Sequence, residues 1–387
     1  MNLKQLDKEF VANTYARFPV ELVSGKGSLL YDETGKEYID LGSGIAVNTF
    51  GISDDEWVDA VTKQLGALQH TSNLYYTEPC VALAKMLCER TGMKKVFFGN
   101  SGAEANEGAI KAARRWAFVN KGEGHHTIIT LKNSFHGRTV TTLAATGQDS
   151  FHTEFMPFTE GFVYADPACP EDVARLAEEN DCAAIMIELI QGEGGVCPLT
   201  PEFVAAVKET AAKKDLLIIV DEVQTGNGRT GELYAFMNYD LTPDIVTTAK
   251  GLGGGLPLGA VMLGEKVQDI LAAGTHGSTF GANPVCCTGA VNVLGRIDDA
   301  LLAQVKEKSD YIISTLSAVK GVRSIAGMGL MLGIECEKPA KEIIAACLEK
   351  GVLVLSAKQK VRLLPALNIP FDTLRKAVEI LAETISE

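Results

Sequence analysis

Apolar runs alternate with amphipathic stretches through the middle of the chain. Val-Phe-Phe from Val96 precedes a long helical pattern, SGAEANEGAIKAARRWAF, and Ile-Ile-Thr from Ile128 follows it. AAIMIEL from Ala183 leads into PEFVAAVKETAAKKD, a helix pattern with Pro near its start. LLIIVDE from Leu216, DIVTTAK from Asp244 and GAVML from Gly259 come next. These runs are short, β-rich and without polar alternation. They read as strands buried on both faces, which predicts an α/β fold with a mostly parallel sheet covered by helices. The N-terminal segment differs. Its YDETGKEYIDL carries turn signals and alternation, and predicts a small hairpin region. From Pro284 onward the pattern is helix-rich and then mixed. We therefore expect a large domain over residues 49–283, flanked by a smaller α+β domain built from both chain ends, 1–48 and 284–387.

A chain of 387 residues can bury a sizeable core without disulfides or structural metals. Its 36 Lys and Arg against 49 Asp and Glu give a net charge of −13. That balance argues against a general affinity for nucleic acid or anionic membranes, which want basic patches. It leaves room for a small anionic ligand held by a few local donors. The nine cysteines are scattered and show no C-x-x-C spacing, so no zinc or thioredoxin-like motif is expected. No apolar run approaches the ~20 residues of a membrane span, and MNLKQLDKEF lacks the apolar core of a signal peptide. The expectation is a cytoplasmic protein with reduced thiols.

Four runs end in chemistry. In FFGNSGAEANEGAIKAAR a strand stops at Gly99, and Ser101 with Glu104 has the spacing of a capping box opening a helix. The amides of Gly102 and Ala103 then lie at the positive end of the helix dipole, where small side chains let an anion approach. An ordinary capped helix presents the same residues. In LLIIVDEVQTGNGRTG, Asp221 and Glu222 lie at the carboxyl end of an apolar strand, where ligands of open α/β sheets collect. A carboxylate there suits a metal, a ribose or a protonated ring nitrogen. No neighbouring residues supply the rest of a metal site.

Lys250 closes another apolar strand in PDIVTTAKGLGGGLPLGA. Held in an apolar site its amine pKa falls, which makes it a nucleophile for Schiff-base chemistry. A snorkelling lysine before a flexible loop is the plainer alternative. The glycines that follow do not form a dinucleotide loop: after Gly251 and Gly253 the required final glycine falls at Leu256. The Walker pattern fails too, because the lysine precedes the glycines. Finally, SFHGRT sets Phe135 to stack on a planar group and Arg138 to fork onto a carboxylate. His136 on its own reads more readily as a structural histidine. A helix N-terminus for a phosphate, an Asp for a pyridinium nitrogen, a Lys for an imine and an aromatic for stacking together match the needs of pyridoxal 5'-phosphate.

With these residues in view, the chain resembles the class III pyridoxal-phosphate aminotransferases of the fold-type I superfamily. The resemblance runs from about Tyr15 to the C-terminus. It is carried by GNSGAEANEGAIKAAR, SFHGRT, ELIQGEGG, DEVQTGNGRTG, DIVTTAKGLGGGLPLGA, HGSTFGANP and VRLLPAL. SGIAVNTFG and HTSNLYY add support for the acetylornithine branch. The resemblance implies a seven-stranded-type sheet in the large domain and a homodimer with active sites at the subunit interface. It also implies residue roles. Lys250 links covalently to the cofactor, Asp221 pairs with its pyridine nitrogen and Gln224 lies near its phenolic oxygen. Phe135 stacks on the ring, while Ser101, Gly102 and Ala103 hold the phosphate. Thr279 reaches the phosphate of the other subunit. Arg138 and Ser278 contact substrate. Glu193 pairs with Arg362, masking it in one half-reaction and releasing it for glutamate in the other. No metal is implied.

The implied reaction moves the δ-amino group of N2-acetyl-L-ornithine to 2-oxoglutarate, giving N-acetyl-L-glutamate 5-semialdehyde and L-glutamate, a step of arginine biosynthesis. The rival amines are ornithine, succinylornithine, succinyl-diaminopimelate and 4-aminobutyrate. A nucleotide-binding protein on the same sheet is disfavoured by the failed loop spacings, and a metal-dependent hydrolase by the lack of a ligand cluster. The chain departs from the family pattern at GISDDEWVDAV from Gly51, at Leu189 and at Ala282. The first changes the entry to the following helix.

Overall fold

Each of those apolar runs becomes a strand of one seven-stranded sheet. The computed structural model describes residues 3–387. In spatial order the strands are Lys95–Gly99, Gly259–Leu263, Ile245–Thr248, Leu217–Asp221, Cys182–Ile187, Thr127–Leu131 and Phe162–Ala165. All run parallel except Gly259–Leu263, which is antiparallel to both neighbours. The reason is reach. Parallel pairing needs a crossover of a dozen or more residues, and the glycine-rich run from Ala249 to Leu258 is too short for one. The central strands Cys182–Ile187 and Leu217–Asp221 are buried along their whole length, which explains their unbroken apolar sequence. The edge strand Phe162–Ala165 was not among the predicted runs. It is only partly buried, so its pattern is weak.

The helix Gly102–Lys121 packs its alanine-rich face onto the Ile245–Thr248 and Gly259–Leu263 strands. Small residues set the close approach: a Cβ on Gly108 would lie 2.9 Å from Val261 Cγ2. This packing fixes where the N-terminus of the helix points.

The two ends of the chain meet. The N-terminal strands Leu22–Lys26, Leu29–Asp32 and Glu37–Asp40 form an antiparallel meander, and the C-terminal strand Val352–Leu353 joins it in parallel beside Glu37–Asp40. A second C-terminal sheet contains Val322–Met328, Met331–Cys336, Lys360–Leu363 and Leu355–Ala357. Helices Asp299–Ser317, Ala340–Glu349 and Phe371–Ser386 cover these strands. Among the described residues all cysteines are free, and no helix is long and apolar enough to cross a membrane.

The GISDDEWV departure has a structural role. Asp54 is the N-cap of the helix Asp55–Ala67 and accepts from Trp57 N at 3.1 Å. The same carboxylate takes a two-pronged ion pair from Arg296, at 2.5 and 3.0 Å, and Arg296 also covers the Phe50 ring. One side chain thus starts a helix and ties it to the helix Pro284–Arg296. Asp54→Ala is expected to lower unfolding free energy by about 1–2 kcal/mol, a lost cap plus a partly buried pair. Urea unfolding of the variant against the parent protein measures it.

Candidate active site

A cavity of about 440 Å³ opens at the carboxyl ends of the parallel strands. Each neighbouring strand delivers one element of its wall. Lys95–Gly99 leads to Ser101–Ala103, Thr127–Leu131 to Phe135–Arg138, Cys182–Ile187 to Glu188, Leu217–Asp221 to Asp221 and Gln224, and Ile245–Thr248 to Lys250.

Asp221 lines this cavity and is only 4% exposed. Its Oδ2 accepts from Asn106 Nδ2 at 2.7 Å and hydrogen-bonds His136 Nδ1 at 2.8 Å, while Oδ1 accepts from Val223 N at 3.0 Å. Asn106 in turn donates to the His136 carbonyl at 2.7 Å and accepts from Thr247 Oγ1 at 2.7 Å. Burial opposes a charge on His136, but the hydrogen bond and charge of Asp221 outweigh it and raise the imidazole pKa. His136 and Asn106 were not among the expected site residues. Asn106 did leave a signal, a lone amide on the alanine-rich helix face that packs on the sheet.

Lys250 lines the cavity, and among the described residues its Nζ makes no hydrogen bond or ion pair. Burial lowers its amine pKa against the opposing charges of Glu193 and Asp221. Its backbone is left-handed, with φ of +44°. That conformation costs a non-glycine residue about 1–2 kcal/mol. The strain is held from both sides: Thr49 Oγ1 donates to the Gly251 carbonyl at 2.8 Å, and Asn227 Nδ2 donates to the Ala249 carbonyl at 3.3 Å.

Ser101 caps the helix Gly102–Lys121, accepting from Glu104 N at 3.1 Å. The expected capping box forms only in part. Glu104 reaches the amide of Asn100 at 2.7 Å, one residue before the cap, because Asn100 follows the end of the strand. Its other oxygen accepts from Asn100 Nδ2 at 3.0 Å. The first amides of the helix stay free to face an anion.

Phe135 and Arg138 both line the cavity. The Arg138 guanidinium lies over the rings of Phe135 and Phe151, at 5.5 and 4.2 Å. Glu193 and Arg362 meet at 2.6 Å, and Arg362 also donates to Gln224 Oε1 at 3.1 Å. Burial alone would raise the Glu193 carboxyl, but Arg362 and Lys250 bring its pKa below the ordinary value. The Nε of Arg362 is buried without a partner among the described residues. Ser278 and Thr279 do not line this chain's cavity. Ser278 Oγ accepts from Asn100 Nδ2 at 3.1 Å, and Thr279 is exposed. Glu188, another residue absent from the expected set, accepts from Phe135 N at 2.8 Å and Gly192 N at 3.2 Å. It ties the loop of the aromatic ring to the loop of Glu193. Burial pushes its carboxyl up to about 7.

The model of the class III aminotransferases matches residues 10–385. The acetylornithine aminotransferase of Haemophilus ducreyi is 48% identical over 387 residues, covering 100% of this chain and 98% of that one. This chain belongs to the class III aminotransferases. Solved structures agree with that assignment. The N-acetylornithine aminotransferase of Stenotrophomonas maltophilia superposes with a TM-score of 0.86 at 33% identity, covering 99% of this aminotransferase and 98% of that chain. A Toxoplasma gondii ornithine aminotransferase, described with partial occupancy of PLP at its active site, gives a TM-score of 0.94 at 30% identity, covering 99% and 93%.

Asp221 and Glu222 adjoin in sequence but part in this aminotransferase. Glu222 faces the core, fully buried, where it accepts from Phe236 N at 2.7 Å and from the Thr225 hydroxyl. Burial raises its pKa from 4.5 to about 7. The folded state therefore binds this proton more tightly than the unfolded state. The resulting stabilisation is complete below pH 4.5 and is lost as pH rises through about 7. Glu222→Gln, neutral throughout, is expected to unfold at higher urea than the parent protein at pH 8. The gap should narrow at pH 5, and a gap that does not change with pH would contradict this account.

Proposed function

We propose that this aminotransferase uses pyridoxal 5'-phosphate to move the δ-amino group of N2-acetyl-L-ornithine to 2-oxoglutarate, a step of arginine biosynthesis in the cytoplasm. The observation that carries the reading is the unpartnered Lys250 amine in one cavity with an anchored Asp221 and a capped helix N-terminus. The donor set suits the cofactor. Lys250 would hold its aldehyde carbon and Asp221 its ring nitrogen, with Gln224 near the phenolic oxygen and Phe135 against the ring. Ser101, Gly102 and Ala103 would hold the phosphate. When bound, the cofactor supplies an electron sink for the charge left when a proton leaves the amine-bearing carbon.

The chain's own groups do the rest. Asp221, held in place by Asn106 and His136, would sit opposite the ring nitrogen. The lowered pKa of Lys250 makes its Nζ a base that takes a proton and returns it. Arg138 binds a substrate carboxylate, and Ser278, outside this chain's own cavity, would touch substrate at the partner's. The Glu193–Arg362 pair at 2.6 Å supports the dual-substrate switch: closed, it neutralises Arg362 for the monocarboxylate; open, it presents Arg362 to the second carboxylate of glutamate.

A second copy of the chain is part of this reading. Thr279 would serve the partner's phosphate. Beside its loop lies HTSNLYY, held by Asn73 Nδ2 donating to the Gly281 carbonyl at 2.8 Å. Leu74, Tyr75, Tyr76 and Phe280 are all exposed there, which supports a homodimer covering this face. Ornithine is the second substrate reading, because the ornithine aminotransferase of Toxoplasma gondii superposes with the higher TM-score.

An absorption spectrum of the cofactor-loaded protein tests both readings. A visible band is expected, lost on adding N2-acetylornithine at lower concentration than ornithine, succinylornithine or 4-aminobutyrate. A band that responds first to another amine moves the substrate, and no band at all overturns the Lys250 role. Lys250→Ala is expected to lose the band and at least ~1,000-fold in rate, the scale of a missing general base.

Glu193→Gln is expected to shift the ratio of the two half-reaction rates about tenfold towards glutamate, the ~1.4 kcal/mol of one charged hydrogen bond. Single-turnover kinetics of each half-reaction give that ratio, and an unchanged ratio rules the switch out.

A further inference from the structure

A second cavity, of about 470 Å³, lies between the N-terminal meander, the helix Ala340–Glu349 and the strand Val352–Leu353. Its size falls in the range of small-molecule sites. Most of its wall is aliphatic, from residues such as Leu22, Leu30, Ile52, Ile344 and Leu348. One carboxylate interrupts that wall. Asp40 is 7% exposed and lines the cavity. Its Oδ1 accepts from Gly42 N at 2.8 Å and from Ser43 N at 2.9 Å. Among the described residues Oδ2 has no hydrogen-bond partner, and Asp40 has no ion pair. The cation of the lining, Arg17, is engaged by Asp7 at 2.9 Å. Burial accordingly raises the Asp40 pKa. An apolar cavity with one buried, half-satisfied carboxylate selects a cation that brings its own hydrocarbon body.

The same residue reaches the catalytic cavity. The two amides held by Asp40 begin a turn in which Ser43, Gly44, Ile45 and Ala46 all have positive φ, of 41°, 66°, 65° and 60°. Gly44, Ile45 and Asn48 face the second cavity, whereas Val47 between them lines the catalytic one. Thr49, next in the chain, holds the Gly251 carbonyl beside Lys250. A wall one turn thick, in a conformation that non-glycine residues resist, separates the two cavities.

We propose that this second cavity binds a small aliphatic ammonium compound, its cation on Asp40 Oδ2 and its chain against the aliphatic wall, and that occupancy changes substrate affinity through the turn Ser43–Ala46. The binding claim is independent of the substrate assigned above. The affinity claim rests on that assignment.

N-methylhexylammonium is a suitable probe, because a secondary amine is not a transamination substrate. Calorimetry on the cofactor-loaded full chain is expected to find one site per chain. Affinity should persist in Lys250→Ala, which separates this site from the catalytic cavity, and should fall at least about tenfold in Asp40→Asn. Asp40 also supports the turn, so Leu22→Trp provides the control. Leu22 is 44% exposed at the cavity wall, and a Trp there fills the space and leaves Asp40 intact. This variant should lose the probe while keeping basal activity. Hexanoate, the same body with the opposite charge, should bind at least about tenfold more weakly. In the parent protein, but not in Leu22→Trp, the probe should change KM for the amine substrate about fivefold. No binding, binding that survives Leu22→Trp, or equal binding of hexanoate overturns the site. Binding with an unchanged KM overturns the coupling.

Discussion

The carboxylate of Asp221 is the constraint around which the rest of the large domain is arranged. A buried carboxylate is expensive unless it is paired and hydrogen-bonded. Here three separate elements meet that demand. Asn106 comes from the helix Gly102–Lys121, His136 from the loop after Thr127–Leu131, and the Val223 amide from the turn beyond the strand itself. Thr247, on a fourth element, orients Asn106. To satisfy this one side chain, the helix, two strands and two loops must hold fixed relative positions. Those positions also bring the Ser101 cap, Phe135 and Lys250 to the same cavity. Cofactor geometry in this reading is thus a by-product of satisfying a single buried carboxyl group.

Much of this was legible in the chain because the signals are local. An unbroken apolar run announces a strand buried on both faces, and the residue that ends it stands at the sheet's carboxyl edge. Asp221 and Lys250 were found that way, and Ser101 through its cap spacing. His136 and Asn106 were not found, because their importance is relational. Nothing near His136 in sequence says that its ring meets a carboxylate 85 residues away. Glu222 shows the converse. It shares its neighbour's strand end and chemistry, yet successive side chains point to opposite faces, so one lines the cavity and the other faces the core. The antiparallel strand Gly259–Leu263 follows from a connection length, which periodicity does not record.

The strained backbone at Lys250 needs support from outside the sheet, and the chain's N-terminal segment provides it. Thr49 binds the Gly251 carbonyl through its hydroxyl and receives Leu367 N on its own carbonyl at 2.9 Å. Leu41 receives Leu364 N at 2.7 Å, and Ser43 Oγ donates to the Leu364 carbonyl. Those C-terminal contacts follow directly on the strand that carries Arg362. The residues 41–49 therefore connect the lysine to Arg362, the arginine of the proposed dual-substrate switch. Where a glycine-rich loop alone would let Lys250 relax, this segment clamps it between the two chain ends. Pairing the first strands with Val352–Leu353 is what puts the clamp in place, so the joining of the termini serves the chemistry as well as the fold.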